Sequence, residues 1–169
     1  MTRVVIFGNS GSGKSTLARR LSAAAGVSHL DLDTCAWEPK TPPARRPPEE
    51  SAREIAAFLE ANGGWVVEGC YSSLLASPLS RCTLALFLNP GVDACIANAS
   101  ARPWEPHKYS SKEAQDRNLE MLRSWIRDYT VREDEYSLAA HRALFDGFTG
   151  HKIELLSREA IATFALPRS

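Results

Sequence analysis

The chain has no surplus of either charge: Lys+Arg and Asp+Glu both number 20 in 169 residues, so the formal net charge is zero. A chain without a basic excess is not built as a general nucleic-acid or membrane-surface binder, and no nucleic-acid partner is expected. Cysteine is scarce, with four residues at Cys35, Cys70, Cys82 and Cys95. They form no Cys-x-x-Cys pair and have no histidine at ligand spacing. A zinc site and a disulfide framework are therefore not indicated, and free thiols in a reducing compartment are expected. Long apolar runs are missing too, none approaching the ~20 residues that a membrane helix needs. No leader-like segment precedes the first apolar run. These absences together point to a soluble, cytoplasmic protein with no membrane partner.

What is present is alternation. Short apolar runs read as strands at Val4 to Phe7, Ser28 to Leu32, Trp65 to Glu68, Thr83 to Leu88 and Lys152 to Leu156. Helical patterns separate them, as at Ala52, Ile55, Ala56 and Leu59, which recur at i, i+3, i+4, i+7. Strands alternating with helices predict an α/β fold with a five-stranded parallel sheet, and 169 residues make one domain, 1–169. Glu38 to Pro48 holds five prolines and reads as a loop on the rim of a site rather than a helix or central strand. Ser110 with Glu113 offers a capping box for a long helix whose Leu119, Leu122, Ile126 and Tyr129 share one face.

The most specific segment is Gly8-Asn9-Ser10-Gly11-Ser12-Gly13-Lys14-Ser15, a full match to G-x-x-x-x-G-K-[ST]. It follows a strand-like run and opens a helix from Thr16, which is the context the pattern requires. Glycines let the backbone curl so that several N–H groups converge on one anion, with the positive end of a helix dipole behind them. Gly8, Ser10, Gly11, Ser12, Gly13, Lys14, Ser15 and Thr16 are thus the expected triphosphate-binding set. Lys14 meets the β/γ-phosphates and Ser15 ligates Mg²⁺.

In open α/β sheets, ligands lie beyond the carboxyl ends of the strands. Asp31 and Asp33 leave the second strand there, and Glu68 leaves the third. Asp31 and Asp33, two apart on an extended segment, are expected to face the same side. Each of the three suits a Mg²⁺ shell or the acceptance of a hydroxyl proton. Beyond the fourth strand, the proline-broken stretch of about 102–118 reads as a helical lid, with Arg102 and Lys108 as the cations that close over the γ-phosphate. Trp104 and Tyr109 read as lid contacts or as core anchors. Trp37 reads as the floor of an acceptor pocket or as packing, and Arg45, Arg46 and Arg53 as an anion clamp or a solvated face.

The glycine loop, Leu30-Asp31-Leu32-Asp33 and the lid after strand four resemble the small P-loop kinases: adenylate, shikimate and gluconate kinases. The likeness is greatest to the bacterial DNA topology modulation proteins, a kinase-like family, through Leu30 to Asp33 with Trp37, Trp65-Val66-Val67-Glu68-Gly69-Cys70-Tyr71 and Gly150-His151-Lys152-Ile153. The resemblance implies a three-layer P-loop fold, ATP as donor and Mg²⁺ as cofactor. It also implies that Asp31 is the metal-side acid, that Asp33 is the acceptor-side base, and that the adenine packs near Arg158. Cys70-Tyr71-Ser72 stands where adenylate kinases carry Phe-Pro-Arg, so the arginine for a nucleoside-monophosphate acceptor is missing. No Asn-Lys-x-Asp or Thr-Lys-x-Asp guanine-reading segment occurs, and no Leu-Ser-Gly-Gly-Gln of transport ATPases. The expected function is transfer of the γ-phosphoryl group to a hydroxyl of a small molecule. The alternative is a nucleotide-gated regulatory ATPase or binding module acting on DNA or a protein. Monomer and dimer both remain open.

Overall fold

Five strands pair in parallel in the order β2-β3-β1-β4-β5, with β1 (Arg3–Gly8) at the centre, in a computed structural model that describes residues 1–40, 42–106 and 109–167. Here β2 is Ser28–Asp31, β3 Trp65–Gly69, β4 Leu84–Leu88 and β5 Lys152–Leu155. The inner three are continuous apolar runs because both of their faces are covered. Side chains alternate across the sheet. Val5 and Phe7 join one core with Val67 and Phe87, while Val4 and Ile6 join the other with Val66 and Leu86.

Helix α1 (Lys14–Ala25) and α8 (Arg158–Thr163) supply Leu17, Leu21 and Ile161 to the second core. The opposite face is covered by α2 (Asp33–Ala36), α3 (Pro48–Ala61), α4 (Ser72–Leu79) and α7 (Leu138–Gly147). The result is three layers, the α/β class read from the sequence. Helices α5 (Val92–Ser100) and α6 (Lys112–Arg127) pack on each other around a small core of Cys95, Ala99 and Ile126. None of the helices described is long and apolar enough to cross a membrane.

Several local expectations shift. The cap of α6 is Ser111, whose hydroxyl accepts from the Ala114 N–H, so the signal lies one residue beyond Ser110. The long helix ends at Arg127, and Tyr129 sits in a following 3₁₀ turn, Asp128–Thr130, where it is still buried. Asp33 is not on an extended segment beside Asp31, because β2 stops at Asp31 and Asp33 opens α2. The Asp31 carboxylate accepts the Asp33 N–H at 2.9 Å, a turn that ends the strand and starts the helix. Two helices went unread, α2 because it is four residues long and α4 because Pro78 sits inside it. Pro78 lies in the last turn of α4, and that short helix is held by burial of Leu74, Leu75 and Leu79 rather than by its propensity. The proline-rich rim folds back on itself through an antiparallel bridge between Trp37 and Arg45.

The loop between β1 and α1 is fixed by close backbone approaches. A Cβ at Gly8 would stand 2.3 Å from the Leu88 carbonyl oxygen, and one at Gly11, where φ is +76°, 2.4 Å from that of Cys95. Neither position admits a side chain without displacing backbone. Gly11→Ala is therefore expected to lose about 1–3 kcal/mol of stability in urea denaturation. Gly147→Ala, where a Cβ meets nothing within 4 Å, is expected to be neutral or slightly stabilising. Equal midpoints for the two variants would contradict the packing.

Candidate active site

Strands β1 and β3 are neighbours, but their continuations part: the chain after β1 enters α1 on one face of the sheet, and the chain after β3 enters α4 on the other. The divergence opens a crevice at the carboxyl edge, where ligand sites of such sheets form. Register places Glu68 beside Ile6 and beside Asp31 of β2. The acids at the ends of β2 and β3 therefore face the glycine loop.

Within the loop, the Lys14 ammonium donates to the Asn9 carbonyl at 2.8 Å, so the cation lies across the loop's own span. The Ser15 hydroxyl donates to Glu68 at 2.6 Å. Glu68 is 2% exposed, and burial, reinforced by the charge of Asp31, lifts its carboxyl to about 7, against the lowering effect of Lys14. His29 Nε2 lies 3.9 Å behind it. Asn98 Nδ2 donates to the Gly11 carbonyl at 2.8 Å and Asn9 Nδ2 to the Ile126 carbonyl at 3.2 Å, tying the loop to α5 and α6.

Three clefts meet at the loop. The largest, about 710 Å³, is lined by Ser10, Lys14, Ser15, Asp31, Asp33 and Glu68 on the loop side. A second, about 470 Å³, runs across Gly13 and Thr16 toward Asp31 and Thr34. The third, about 510 Å³, lies behind the loop between Ser12, Arg102, Arg158 and Ile161. Gly11 and Arg102 line all three. The crevice thus brings Lys14, Ser15, Asp31, Asp33, Glu68 and Arg102 together, whereas Arg158 stands apart in the third cleft. Gly8 lies beneath the loop against Leu88, and the Ser12 hydroxyl is buried with no hydrogen-bond partner. Arg102 lies 3.6 Å from Glu105. Lys108 lies outside the described residues.

Residues outside any motif complete the site. The Tyr71 hydroxyl donates to Asp33 Oδ1 at 2.5 Å and accepts from Trp37 Nε1 at 2.7 Å. Burial and the neighbouring Asp33 push the phenol above its ordinary range, so it is held as a donor. Trp37 lines the largest cleft. Trp104 is 45% exposed and does not anchor the core. Arg45 pairs with Glu135 at 3.0 Å and Arg46 pairs with Glu54, so neither projects as a free clamp. Tyr71 follows Glu68-Gly69 closely enough for its position to be legible, but its partner Asp33 lies 38 residues away and only the fold reveals the pair.

His141 supports the same edge from below. Its Nε2 lies 2.8 Å from the Cys70 carbonyl, which only accepts, so this nitrogen carries the proton; Nδ1 then accepts from the Tyr129 hydroxyl at 2.8 Å. The ring is fully buried against Phe7 and Phe87, and burial lowers its pKa to about 4. The four thiols are likewise held up by burial, Cys70 to about 12.

No protein-family model and no curated protein matches the chain. In backbone it resembles a sugar kinase from a Janibacter species, with a TM-score of 0.53 and 16% identity over 96% of this chain and 91% of that one. An uncharacterized protein from Eubacterium ventriosum aligns over 96% of this chain and 92% of its own, at 15% identity and a TM-score of 0.47. The likeness to the sugar kinase is one of fold, the α/β class with an all-parallel five-stranded sheet that the alternation of strands and helices predicts.

A histidine whose folded pKa lies below its ordinary 6.5 stabilises the fold only while neutral. Its contribution is complete above about pH 6.5 and is lost as pH falls toward 4, by up to about 3 kcal/mol at about 1.4 kcal/mol per unit. Urea denaturation across this range should show a limb that is shallower in His141→Gln. An unchanged pH slope in that variant would remove His141 from the account.

Proposed function

We propose that the protein is an ATP-dependent phosphotransferase acting on a hydroxyl of a small molecule. The observation that carries the reading is that Asp33, held by Tyr71, opens into the same 710 Å³ cleft as Lys14 and Ser15. A base, an anion-binding lysine and a metal-binding hydroxyl within one enclosure are the parts that phosphoryl transfer to an alcohol needs. The kinase-like fold is in keeping with it.

In this reading the N–H groups of Gly11, Gly13 and the first turn of α1 hold the phosphates, and Lys14 leaves Asn9 to meet the β/γ oxygens. The oxygens of Ser15 and Glu68, 2.6 Å apart, with Asp31 beside them, are hard donors of the kind Mg²⁺ prefers. Among the described residues no group of three or more His, Cys, Asp or Glu forms a metal site alone. Mg²⁺ would therefore be held jointly by protein oxygens and the phosphates. When bound, the ion neutralises charge on the transferring group.

Tyr71 occupies Asp33 Oδ1, which leaves Oδ2 to take the acceptor's proton. The acceptor oxygen bonds to the γ-phosphorus, the bond from that phosphorus to the β,γ-bridging oxygen breaks, and ADP leaves. Arg102, with Lys108 and the segment of about 102–118 as a lid over one domain, closes from above and excludes water. The nucleotide base would lie in the third cleft, beside Arg158. The free thiols suit a cytoplasmic setting.

Lys14→Ala is expected to lose about 10²–10³ in kcat/KM. Asp33→Asn should lose about 10²–10⁴ in kcat while still binding Mg·ATP in calorimetry. Tyr71→Phe, which frees Asp33 to rotate, should lower kcat about tenfold with little change in the KM for ATP. Full turnover in Asp33→Asn would remove the base assignment. ATP hydrolysis stimulated only by DNA or a protein would favour a regulatory module instead.

A further inference from the structure

The wall of the largest cleft opposite the glycine loop is aromatic. Trp37, Tyr71, Tyr109, Trp125 and Tyr136 line it, with Leu122 between them. The rings meet edge to face, Tyr71 with Tyr136 at 5.4 Å and 74°, and Trp125 with Tyr136 at 5.4 Å and 61°. They form a faceted apolar surface, although Trp37 and Trp125 stay more than a third exposed.

The charges on the described lining have the opposite bias. Lys14 and Arg102 are its cations, against the carboxylates of Asp31, Asp33, Glu68 and Glu105. Both cations are committed to the triphosphate in the reading above. The arginines nearest the aromatic wall do not line the cleft, and the Arg132 Nε is buried without a hydrogen-bond partner. Arg45 lies 4.8 Å over Tyr71 and 5.5 Å over Trp37 while paired to Glu135. Arg132 lies 3.4 Å over Trp125, with Asp134 at 3.9 Å from its Nε. With Asp31 and Glu68 given to Mg²⁺ in that reading, a second anion in this cleft would meet Asp33, Glu105 and aromatic faces, with neither cation of the described lining left for it. Tyr71 takes Asp33 Oδ1, and a ligand that meets the remaining Oδ2 must bring a donor.

We propose that the phosphoryl acceptor is an uncharged, hydroxyl-rich ring of monosaccharide or cyclitol size. Its apolar C–H face packs on Trp37 and Trp125, and its hydroxyls turn toward Asp33 and the loop. This assignment rests on the phosphotransfer reading and narrows it. One ring hydroxyl becomes the phosphate ester, its proton passing to Asp33, and the other product is ADP. The aromatic wall supplies area and shape. The acidic side supplies specificity, because it rejects acceptors that already carry a phosphate or carboxylate.

The test compares matched pairs with Mg·ATP: glucose against glucuronate and glucose phosphate, myo-inositol against its monophosphate, and adenosine against adenosine monophosphate. ADP release is one readout. Quenching of tryptophan fluorescence without nucleotide is the other. A neutral sugar or cyclitol should raise ADP release at least about tenfold over the basal rate and quench the fluorescence, with its charged counterpart silent in both. Trp37→Ala and Trp125→Ala should each raise the acceptor KM about tenfold and leave the KM for ATP within about twofold, with Trp→Phe restoring most of the loss. Preference for the anionic member of a pair, preference for adenosine over every sugar, or silence across the panel overturns the assignment. If calorimetry shows no Mg·ATP binding, phosphotransfer itself falls; quenching by neutral rings alone would still uphold the pocket's specificity.

Discussion

Strands β1 and β3 pair in parallel with Ile6 opposite Glu68 and Phe7 opposite Gly69, and the geometry of the crevice follows from that pairing. Parallel neighbours leave the sheet at the same edge, so the glycine loop and the acid after β3 emerge side by side. Their continuations then turn to opposite faces, because α1 and α4 belong to different cores. The polar groups that end the strands are left around the space between. The contact between Ser15 and Glu68 is the direct product of this register.

The edge carries an electrostatic load that the rest of the fold balances. Burial raises the Glu68 carboxyl, and the neighbouring charges of Asp31 and Asp33 add to the effect. Lys14 is the counterweight. Neutral groups support the strand end without adding charge: Tyr71 stays protonated, and His141 stays uncharged in a fixed tautomer beneath the Cys70 carbonyl. The charge at the edge is thus concentrated on Lys14 and the three acids around it.

The central strands and the loop were legible because each signal is local. Val4 to Phe7 is an unbroken apolar run, and the glycines that follow at fixed spacing mark a tight turn into a helix. The parallel sheet followed from alternation, and α8 opens as residue type dictates, with Ser157 accepting the Ala160 N–H. The cap of α6 was missed by one residue because Ser110 and Ser111 are chemically equivalent, and tertiary packing chose between them. Helix α4 was missed because Pro78 speaks against a helix and the burial of Leu75 is not visible in a local window. The aromatic wall was illegible for another reason. Trp37, Tyr71, Trp125 and Tyr136 come from distant segments, and only the completed topology gathers them. Of the site proper, the sequence placed the acids near the loop but gave Asp31 and Asp33 a shared extended geometry, which the turn between them replaces.

Two asparagines have a mechanical meaning. Asn9 grips the last turn of α6 through Ile126, and Asn98 of α5 grips Gly11, so both helices are pinned to the loop. The pinned ends cannot swing as a loose flap would. Asn98 lies near the end of α5 and Ile126 near the end of α6, so the two bonds act like rivets that carry any shift of the glycine loop directly into the pair of helices packed behind it.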